Sequence, residues 1–261
     1  MAKRKTKRKA KRRSWLGTML RFFLPEPLSS LKEWIWFFFS RVGLPIAAFY
    51  LSLTLIFSVV PVPFSAYMAQ KKIESLWQAQ PYHLHYQWVS LDKISWQMQM
   101  AAIAAEDQKF DSHFGLDLYA IQQALKRNAR TDKKAMGAST ISQQTVKNLY
   151  LWHGTSWVRK GLEVPLTLLA ESIWSKKRVL EIYLNIAEFG TGIFGVEAAA
   201  QHYFKKSASK LTLQESALLA ASLPNPLIYR VKTPSKTMTH RQQWIIRQVQ
   251  NLGGRQYLNK L

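Results

Sequence analysis

The residues that could carry chemistry are concentrated between Glu106 and Glu163. This stretch holds two candidate carboxylates, a segment rich in Ser, Thr and Gln, and several Lys and Arg side chains. Glu106 ends an apolar segment, and apolar surroundings raise the pKa of a carboxyl group, which suits proton transfer. A lone glutamate at a helix end is usually a surface carboxylate, but Asp107, Phe110 and His113 follow this one closely. Together these groups indicate chemistry on a sugar that carries phosphate.

A polar face is predicted on the helix that follows residue 140. Thr140, Gln144 and Lys147 are spaced i, i+4 and i+7, so they share a face, and Asn148 lies beside them. Such a face is most often simply solvated. Ser139 and Thr140 also lie at the expected start of this helix, where backbone N–H groups favour anions.

Arg159 and Glu163 are spaced i, i+4 on a further predicted helix, and this spacing has two interpretations. In one, they form an intrahelical ion pair that contributes about 0.3–0.5 kcal/mol. In the other, Arg159 binds phosphate and Glu163 is a second functional carboxylate. Spacing alone leaves both open. Pro165 falls in the same predicted helix, where we expect it to kink the axis and remove a hydrogen bond.

The elements that must position these groups are predicted to be helices from residue 97 onward. Residues 65–96 are predicted to form a polar connector with short extended pieces, residues 126–134 a basic loop, and residues 239–252 a peripheral last helix. No strand-rich region stands out, so the expected fold class is mainly α. Helix starts are marked by capping residues, namely Asp117, Thr140 with Gln143, Ser156, Ser175, and Thr212 with Glu215.

Residues 42–64 are predicted to form one transmembrane helix. No charged residue occurs from position 42 to position 70, which exceeds the ~20 residues needed to cross a bilayer. The core helix of a soluble protein is the alternative, but such helices usually show a polar face. A cleaved signal peptide fits less well, because the apolar region starts late and is long. Residues 1–41 combine a basic run with aromatic residues before the span, so we expect a cytoplasmic tail and an interfacial segment.

The balance of charge predicts an acidic partner. Lys and Arg number 37 against 15 Asp and Glu, and the formal net charge is +22. Nucleic acid, an anionic membrane and a phosphate-bearing substrate all satisfy this charge. The chain has no cysteine, which excludes a disulfide framework and a thiolate metal site.

Five ordered segments resemble the motifs of the family-51 peptidoglycan glycosyltransferases. The similarity covers about residues 97–230, and the order and intervals of the motifs fit. The length leaves no room for the transpeptidase domain that many members carry, so we expect a monofunctional enzyme. The segments are residues 106–115 (EDQKFDSHFG), 137–148 (GASTISQQTVKN), 159–163 (RKGLE), 174–190 and 195–224.

This resemblance implies a lysozyme-like glycosyltransferase domain at residues 97–261, preceded by the transmembrane helix, with lipid II as substrate. Glu106 and Glu163 would be the catalytic residues. Glu106 would deprotonate the 4-hydroxyl of the acceptor sugar, which attacks the anomeric carbon of the growing lipid-linked donor with inversion and releases undecaprenyl diphosphate. Glu163 would act on the diphosphate side, directly or through a metal or water.

The resemblance also implies the groups that bind the substrate. Lys147 and Arg159, supported by Lys160, would stabilise the charge that builds on the departing diphosphate. The donor and acceptor subsites would be shaped by Asp107, Phe110, His113, Thr140, Gln144 and Asn148.

The expected partners are lipid II, the nascent glycan strand, the membrane and other cell-wall synthesis proteins, without nucleic acid. The expected location is the bacterial cytoplasmic (inner) membrane, crossed once, with the N-terminus in the cytoplasm and the catalytic domain in the periplasm. Carboxylates around a diphosphate could recruit Mg²⁺ or Mn²⁺, but no dedicated ligand cluster is visible, so no metal ligand is assigned.

Two other functions compete with this interpretation. A lysozyme-like muramidase also uses carboxylates on glycans, but a neutral glycan does not need the cations Lys147, Arg159 and Lys160. A non-catalytic, membrane-anchored scaffold would bind anionic lipid or nucleic acid through its basic tail, and would leave the groups between Glu106 and Glu163 unexplained.

Overall fold

The computed structural model describes residues 30–78, 82–128, 130, 139–154 and 156–261. Its α-helices are α1 (Leu31–Phe38), α2 (Leu44–Ile56), α3 (Ala66–Trp77), α4 (Trp96–Glu106), α5 (Leu118–Asn128), α6 (Ile141–Tyr150), α7 (Trp157–Ile173), α8 (Lys176–Ile186), α9 (Val196–Phe204), α10 (Leu213–Ser222) and α11 (Lys236–Asn251). Its strands are β1 (His85–Tyr86), β2 (Glu188–Gly190) and β3 (Ile193–Phe194). A π-helical turn covers Phe39–Gly43, and 3-10 turns cover Leu91–Lys93, Ala208–Lys210 and Gly254–Lys260. The expected mainly α fold class is confirmed.

The chain divides into two compact units, residues 1–53 and residues 54–261. In the first unit the described residues are helical from Leu31, with Ser30 accepting a hydrogen bond from the Glu33 backbone N–H. The helical stretch Leu31–Ile56 has 26 residues and a mean hydropathy of 1.5, so its length and composition suffice to cross a membrane. It begins 11 residues before the predicted span of residues 42–64, and it ends at Ile56, ahead of Pro61 and Pro63. The basic run at residues 3–13 lies outside the described residues.

The predicted polar connector was wrong over residues 66–77, which form helix α3. Ser65 caps this helix by accepting a hydrogen bond from the Met68 backbone N–H at 3.2 Å. The buried Met68 side chain lies on α3, and α3 packs against α6. A helix cap and tertiary packing therefore outweigh the polar composition of this segment.

Helix α4 is the centre of the second unit. Its residues from Met100 to Ala104 are all buried, and it packs against α10, α11 and α8. The helix ends at Glu106 because Asp107 leaves the helical region, with φ −161°. A carboxylate thus stands at the end of a buried helix, as the apolar pattern before Glu106 predicted.

The last helix is not peripheral, contrary to the prediction for residues 239–252. Helix α11 begins at Lys236, capped by Ser235, and buries Met238, Ile245 and Val249. It packs against α10 and α4, which brings its side chains to the end of the core helix.

The capping predictions are confirmed. Thr140 and Gln143 exchange both bonds of a capping box, as do Thr212 and Glu215. Single caps are present at Ser156, Ser175 and Asp117.

A small sheet lies beside these helices. Its strand β1 falls within the extended pieces expected in the connector, at residues 83–89, whereas β2 and β3 were not predicted. Its strand order is β1-β3-β2, with β1 parallel to β3 and β2 antiparallel to it. Gly195 ends the β2–β3 hairpin and starts α9 with φ +82°, a conformation that favours glycine.

We expect Gly195→Ala to lower the free energy of unfolding by about 1–3 kcal/mol, because a methyl group there would lie 2.5 Å from the Asn185 carbonyl oxygen on a left-handed backbone. Gly161→Ala is the matched control, since Gly161 lies within α7 with open space around it and alanine favours helices by about 0.5–1 kcal/mol. Denaturant unfolding of the detergent-solubilised protein measures both. Equal stability of Gly195→Ala and wild type would contradict the steric argument.

Candidate active site

Glu106 is held at the end of α4 by two donors from other helices. Gln144 Nε2 of α6 donates to Glu106 Oε2 at 2.8 Å, and Arg241 Nη2 of α11 lies 3.3 Å from Oε1. The Glu106 side chain is 12% exposed. Burial raises the pKa of Glu106, although Gln144, Arg241 and Lys147 oppose the shift. The raised pKa that the apolar neighbours predicted is therefore present.

The amide of Gln144 is oriented from its other side. Tyr183 of α8 donates its hydroxyl to Gln144 Oε1 at 3.3 Å, so the amide NH₂ group faces Glu106. Tyr183 is buried, and burial raises the pKa of its phenol, so it remains a donor at neutral pH. Gln144 was predicted to be a site residue, whereas Tyr183 was placed within the fourth motif segment and given no role in the site.

Asp107 joins the end of α4 to the start of α6. One of its carboxylate oxygens accepts a hydrogen bond from the Ile141 backbone N–H at 3.0 Å, and His113 Nε2 lies 3.0 Å from both oxygens. Thr140 donates its hydroxyl to the Gly115 carbonyl at 2.6 Å. These polar groups contact the protein itself, so here they position Glu106 and Gln144.

Phe110 is fully buried beside His113, with ring centroids 6.3 Å apart. Lys176 Nζ lies 4.8 Å from the Phe110 ring centroid and donates to the His113 carbonyl at 2.6 Å. The structure therefore places Phe110 in the packing beneath the loop that follows Asp107.

A cavity of about 210 Å³ opens beside Gln144, and we call it the cationic cavity. Lys147 and Asn148 line it, and among the described residues Lys147 forms no ion pair. Burial and the neighbouring Arg159 lower the pKa of Lys147, whereas Glu106 raises it. Asn148 is only 8% exposed, and its Oδ1 atom has no hydrogen-bond partner among the residues that the structure describes. The cavity thus offers a free ammonium group and a free amide oxygen.

Glu163 is 2% exposed and lies between two cations of its own helix. Arg159 Nη1 is paired with Glu163 Oε1, and Lys160 Nζ lies 2.6 Å from Oε2. Lys160 also donates to Ser139 Oγ at 3.2 Å. The intrahelical ion pair, one of the two interpretations, is therefore present, and α7 continues through Pro165 without interruption.

Tyr67, His153 and Glu188 also line the cationic cavity, and none of them was predicted to be a site residue. Tyr67 of α3 donates to Glu188 Oε2 at 2.6 Å and stacks on His153, with ring centroids 3.5 Å apart. Burial and the cations Lys147 and Arg159 lower the pKa of His153 to about 3, so it is neutral at physiological pH. Tyr67 was missed because α3 was not predicted.

Arg241 was missed for a similar reason. It lies on α11, outside every motif, and only the packing of α11 on α4 brings it to Glu106. No local spacing in the sequence could have indicated this contact.

Glu106 also lines a second cavity, of about 460 Å³, with Lys109, Tyr119, Gln123 and Ser139. We call it the Glu106 cavity. Since Glu106 is bonded to Gln144, which lines the cationic cavity, the carboxylate stands between two cavities. Within the described residues, no three His, Asp or Glu side chains group so that they could hold a metal ion.

A buried carboxylate between two cavities, one of them cationic, is the arrangement expected of an acid–base site that receives an anionic group. The comparisons specify the class. A family model described as Transglycosylase matches residues 71–250.

The chain is also similar to curated proteins named biosynthetic peptidoglycan transglycosylase. It is 59% identical over 211 residues to that of Haemophilus influenzae, which covers 80% of this chain and 85% of the relative. It is 55% identical over 224 residues to that of Escherichia coli O17:K52:H18, which covers 85% of this chain and 93% of the relative. The chain belongs to the transglycosylase family, as the five motifs predicted.

We expect Glu106→Gln to stabilise the protein at neutral pH. A carboxyl group whose pKa is raised by folding contributes stability that is complete below its unfolded pKa, about 4.3, and is lost as the pH rises through its folded pKa. The variant removes this loss, so its melting temperature should exceed that of wild type at neutral pH and approach it near about pH 4.

Glu215→Gln is the control with the opposite sign. Its ion pair with Lys206 and its cap contacts to Thr212 lower the pKa of Glu215, so its contribution is present at neutral pH and lost in acid. A lower melting temperature of Glu106→Gln at neutral pH would contradict the prediction.

Proposed function

We infer that this chain is a peptidoglycan glycosyltransferase that polymerises lipid II into glycan strands for the cell wall, with inversion at the donor anomeric carbon and release of undecaprenyl diphosphate. The observation that carries this inference is the position of Glu106 between the two cavities, with Lys147 in one of them and without an ion pair in the described part of the chain. The family and the names of its relatives support the same reaction.

Glu106 acts as the general base. Gln144 and Arg241 both present donors to its oxygens, which favours the ionised carboxylate as the resting form. Its raised pKa makes it a stronger base than an exposed glutamate. It takes the proton from the 4-hydroxyl of the acceptor sugar as the oxygen attacks the donor.

The cations act on the leaving group. Arg159 and Glu106 both lie near enough to Lys147 to alter its pKa. Positive charge therefore extends from the base toward α7. A departing diphosphate gains negative charge in the transition state, and fixed cations in a partly buried site stabilise it. Lys160 supports this group from the start of α7.

Glu163 holds the cations in place. Since both of its oxygens are engaged by Arg159 and Lys160, it is not free to attack the sugar. The absence of a free nucleophilic carboxylate at Glu163 supports a single displacement with inversion. In this reaction Glu163 positions Arg159 and Lys160, the cations that bind the diphosphate. Asn148 contacts the substrate directly, whereas Asp107, Phe110, His113 and Thr140 keep α4 and α6 in register.

The muramidase alternative is less well supported by this geometry. A hydrolase of this type needs a protonated carboxyl group as general acid. Glu106 instead receives donors on both oxygens, and the adjoining cavity presents an ammonium group that a neutral glycan does not require.

The apolar helix Leu31–Ile56 anchors the enzyme in the inner membrane, where its lipid-linked substrate also resides. The basic residues before it keep the N-terminus in the cytoplasm, so the catalytic unit lies in the periplasm. Partners on this side are lipid II, the nascent strand and other cell-wall synthesis proteins.

Detergent-solubilised protein incubated with lipid II is expected to form polymer, and Glu106→Gln to slow it by about 10²–10⁴-fold, the usual contribution of a general base. Glu215→Gln, a folded variant outside both cavities, should polymerise like wild type. Cleavage of preformed glycan with lipid II left monomeric would establish the muramidase instead. If the folded protein shows neither activity, the non-catalytic scaffold would be the remaining function.

The pH dependence gives an independent test of the base. Arg241→Gln removes a cation that lowers the pKa of Glu106, so the acid limb of the polymerisation rate should move to higher pH. Arg241→Lys should move it less, and Arg247→Gln, an exposed change on the same helix, not at all. An unchanged acid limb in Arg241→Gln would show that another group limits the rate in acid.

A further inference from the structure

A third cavity, of about 440 Å³, adjoins the cationic cavity. Pro226 and Leu227 line both cavities, and neither Glu106 nor Gln144 lines the third one. The three cavities therefore follow one another: the Glu106 cavity, the cationic cavity, and then this one. We call it the histidine cavity, after His83, His85 and His202 in its wall.

The histidine cavity is built to receive negative charge. Arg230 and Lys232 line it, and none of the described residues that line it is acidic. Neither Arg230 nor Lys232 forms an ion pair within the part of the chain that the structure describes, and both side chains are exposed. Burial and the cations Lys232 and Lys205 lower the pKa of His202, so positive groups lie near this wall of the cavity.

The buried carboxylate of Glu188, which lines the adjoining cationic cavity, is already engaged by other groups. Glu188 begins β2, and its oxygens already accept from Tyr67 at 2.6 Å and from the Gly192 backbone N–H at 3.3 Å. Burial raises the pKa of Glu188, although these two hydrogen bonds oppose the shift. The exposed cations of the histidine cavity are thus available to a ligand from solution.

The proposed reaction places a particular ligand here. The proposed reaction binds the donor diphosphate with Lys147 and the acceptor sugar at Glu106, so the sugars already joined to the donor extend on the side away from the acceptor. That path leads past Pro226 and Leu227 into the histidine cavity. A peptidoglycan strand carries peptides, whose carboxyl groups are ionised at neutral pH, and Arg binds carboxylates through two parallel hydrogen bonds.

We propose, on the basis of the proposed function, that the histidine cavity binds the growing strand through the carboxylates of its peptides, with Arg230 and Lys232 as the recognising groups. Each exposed contact is weak. A second subsite nevertheless keeps the strand at a high effective concentration near Glu106 between successive couplings. The cavity therefore governs strand length, and the first coupling of two lipid II molecules does not depend on it.

The test compares strand length and the rate of the first coupling in three variants. Arg230→Glu with Lys232→Glu reverses the charge of the cavity. Lys210→Glu with Arg247→Glu makes the same change in net charge at exposed positions outside the cavities, and Arg230→Lys with Lys232→Arg keeps the charge. Each polymerises lipid II with free peptide carboxylates and, separately, lipid II whose peptide carboxylates are converted to amides.

The cavity variant should make strands about twofold to fivefold shorter than wild type from the free-carboxylate substrate, the size expected of exposed charge contacts. Its first coupling should keep the wild-type rate, which also reports that it is folded. Both control variants should make strands of wild-type length, and the amidated substrate should remove the difference.

Wild-type strand length in the cavity variant, or a shortening that persists with the amidated substrate, would overturn the proposal. A first coupling slowed as much as strand growth would do the same, since it would indicate a general defect. If wild type itself makes no polymer from lipid II, the proposed function fails, which is a separate outcome.

Discussion

The carboxylate of Asp107 is the contact on which the rest of the site depends. It accepts the first backbone N–H of α6 and pairs with His113, so it fixes the start of one helix against the end of another. A negative charge at a helix N-terminus is favourable because the backbone N–H groups there have no partner within the helix. With α6 held in this position, Gln144 reaches Glu106, and Lys147 lies one turn further along the same face. The residue beside the base thereby determines what surrounds the base.

The charged groups of this site differ in how completely they are paired. Glu163 is fully engaged by Arg159 and Lys160, Glu106 is engaged by one neutral donor and one cation, and Lys147 has no anionic partner within the described residues. Burial penalises an isolated charge, so a free ammonium group in a cavity costs stability unless a ligand compensates it. The fold holds these charges in place before the substrate arrives, and a preorganised site of this kind needs little rearrangement during the reaction.

The sequence predicted the parts of this site that depend on local spacing. The capping boxes, the polar face of α6 and the Arg159–Glu163 pair all follow from residues three or four positions apart, and the structure contains each of them. The contacts of Glu106 with Arg241 and of Glu188 with Tyr67 join residues 135 and 121 positions apart, and no local pattern encodes them. Helix α3 was missed because its polar composition resembles that of a connector, while its cap and its packing against α6 decide its conformation.

The second unit begins at Thr54, within the apolar helix, and this limits where the chain can be truncated. The Thr54 carbonyl accepts a hydrogen bond from the Trp174 indole at 2.8 Å, and the Phe57 carbonyl accepts one from Arg178. Tyr67 then closes the cavity wall against Glu188. A soluble fragment that started at residue 97, where the motifs begin, would lose all three contacts and leave Glu188 with only its backbone donor at Gly192. The last residues of the apolar helix belong to the second unit, so a cut that removes the whole helix also removes contacts of that unit.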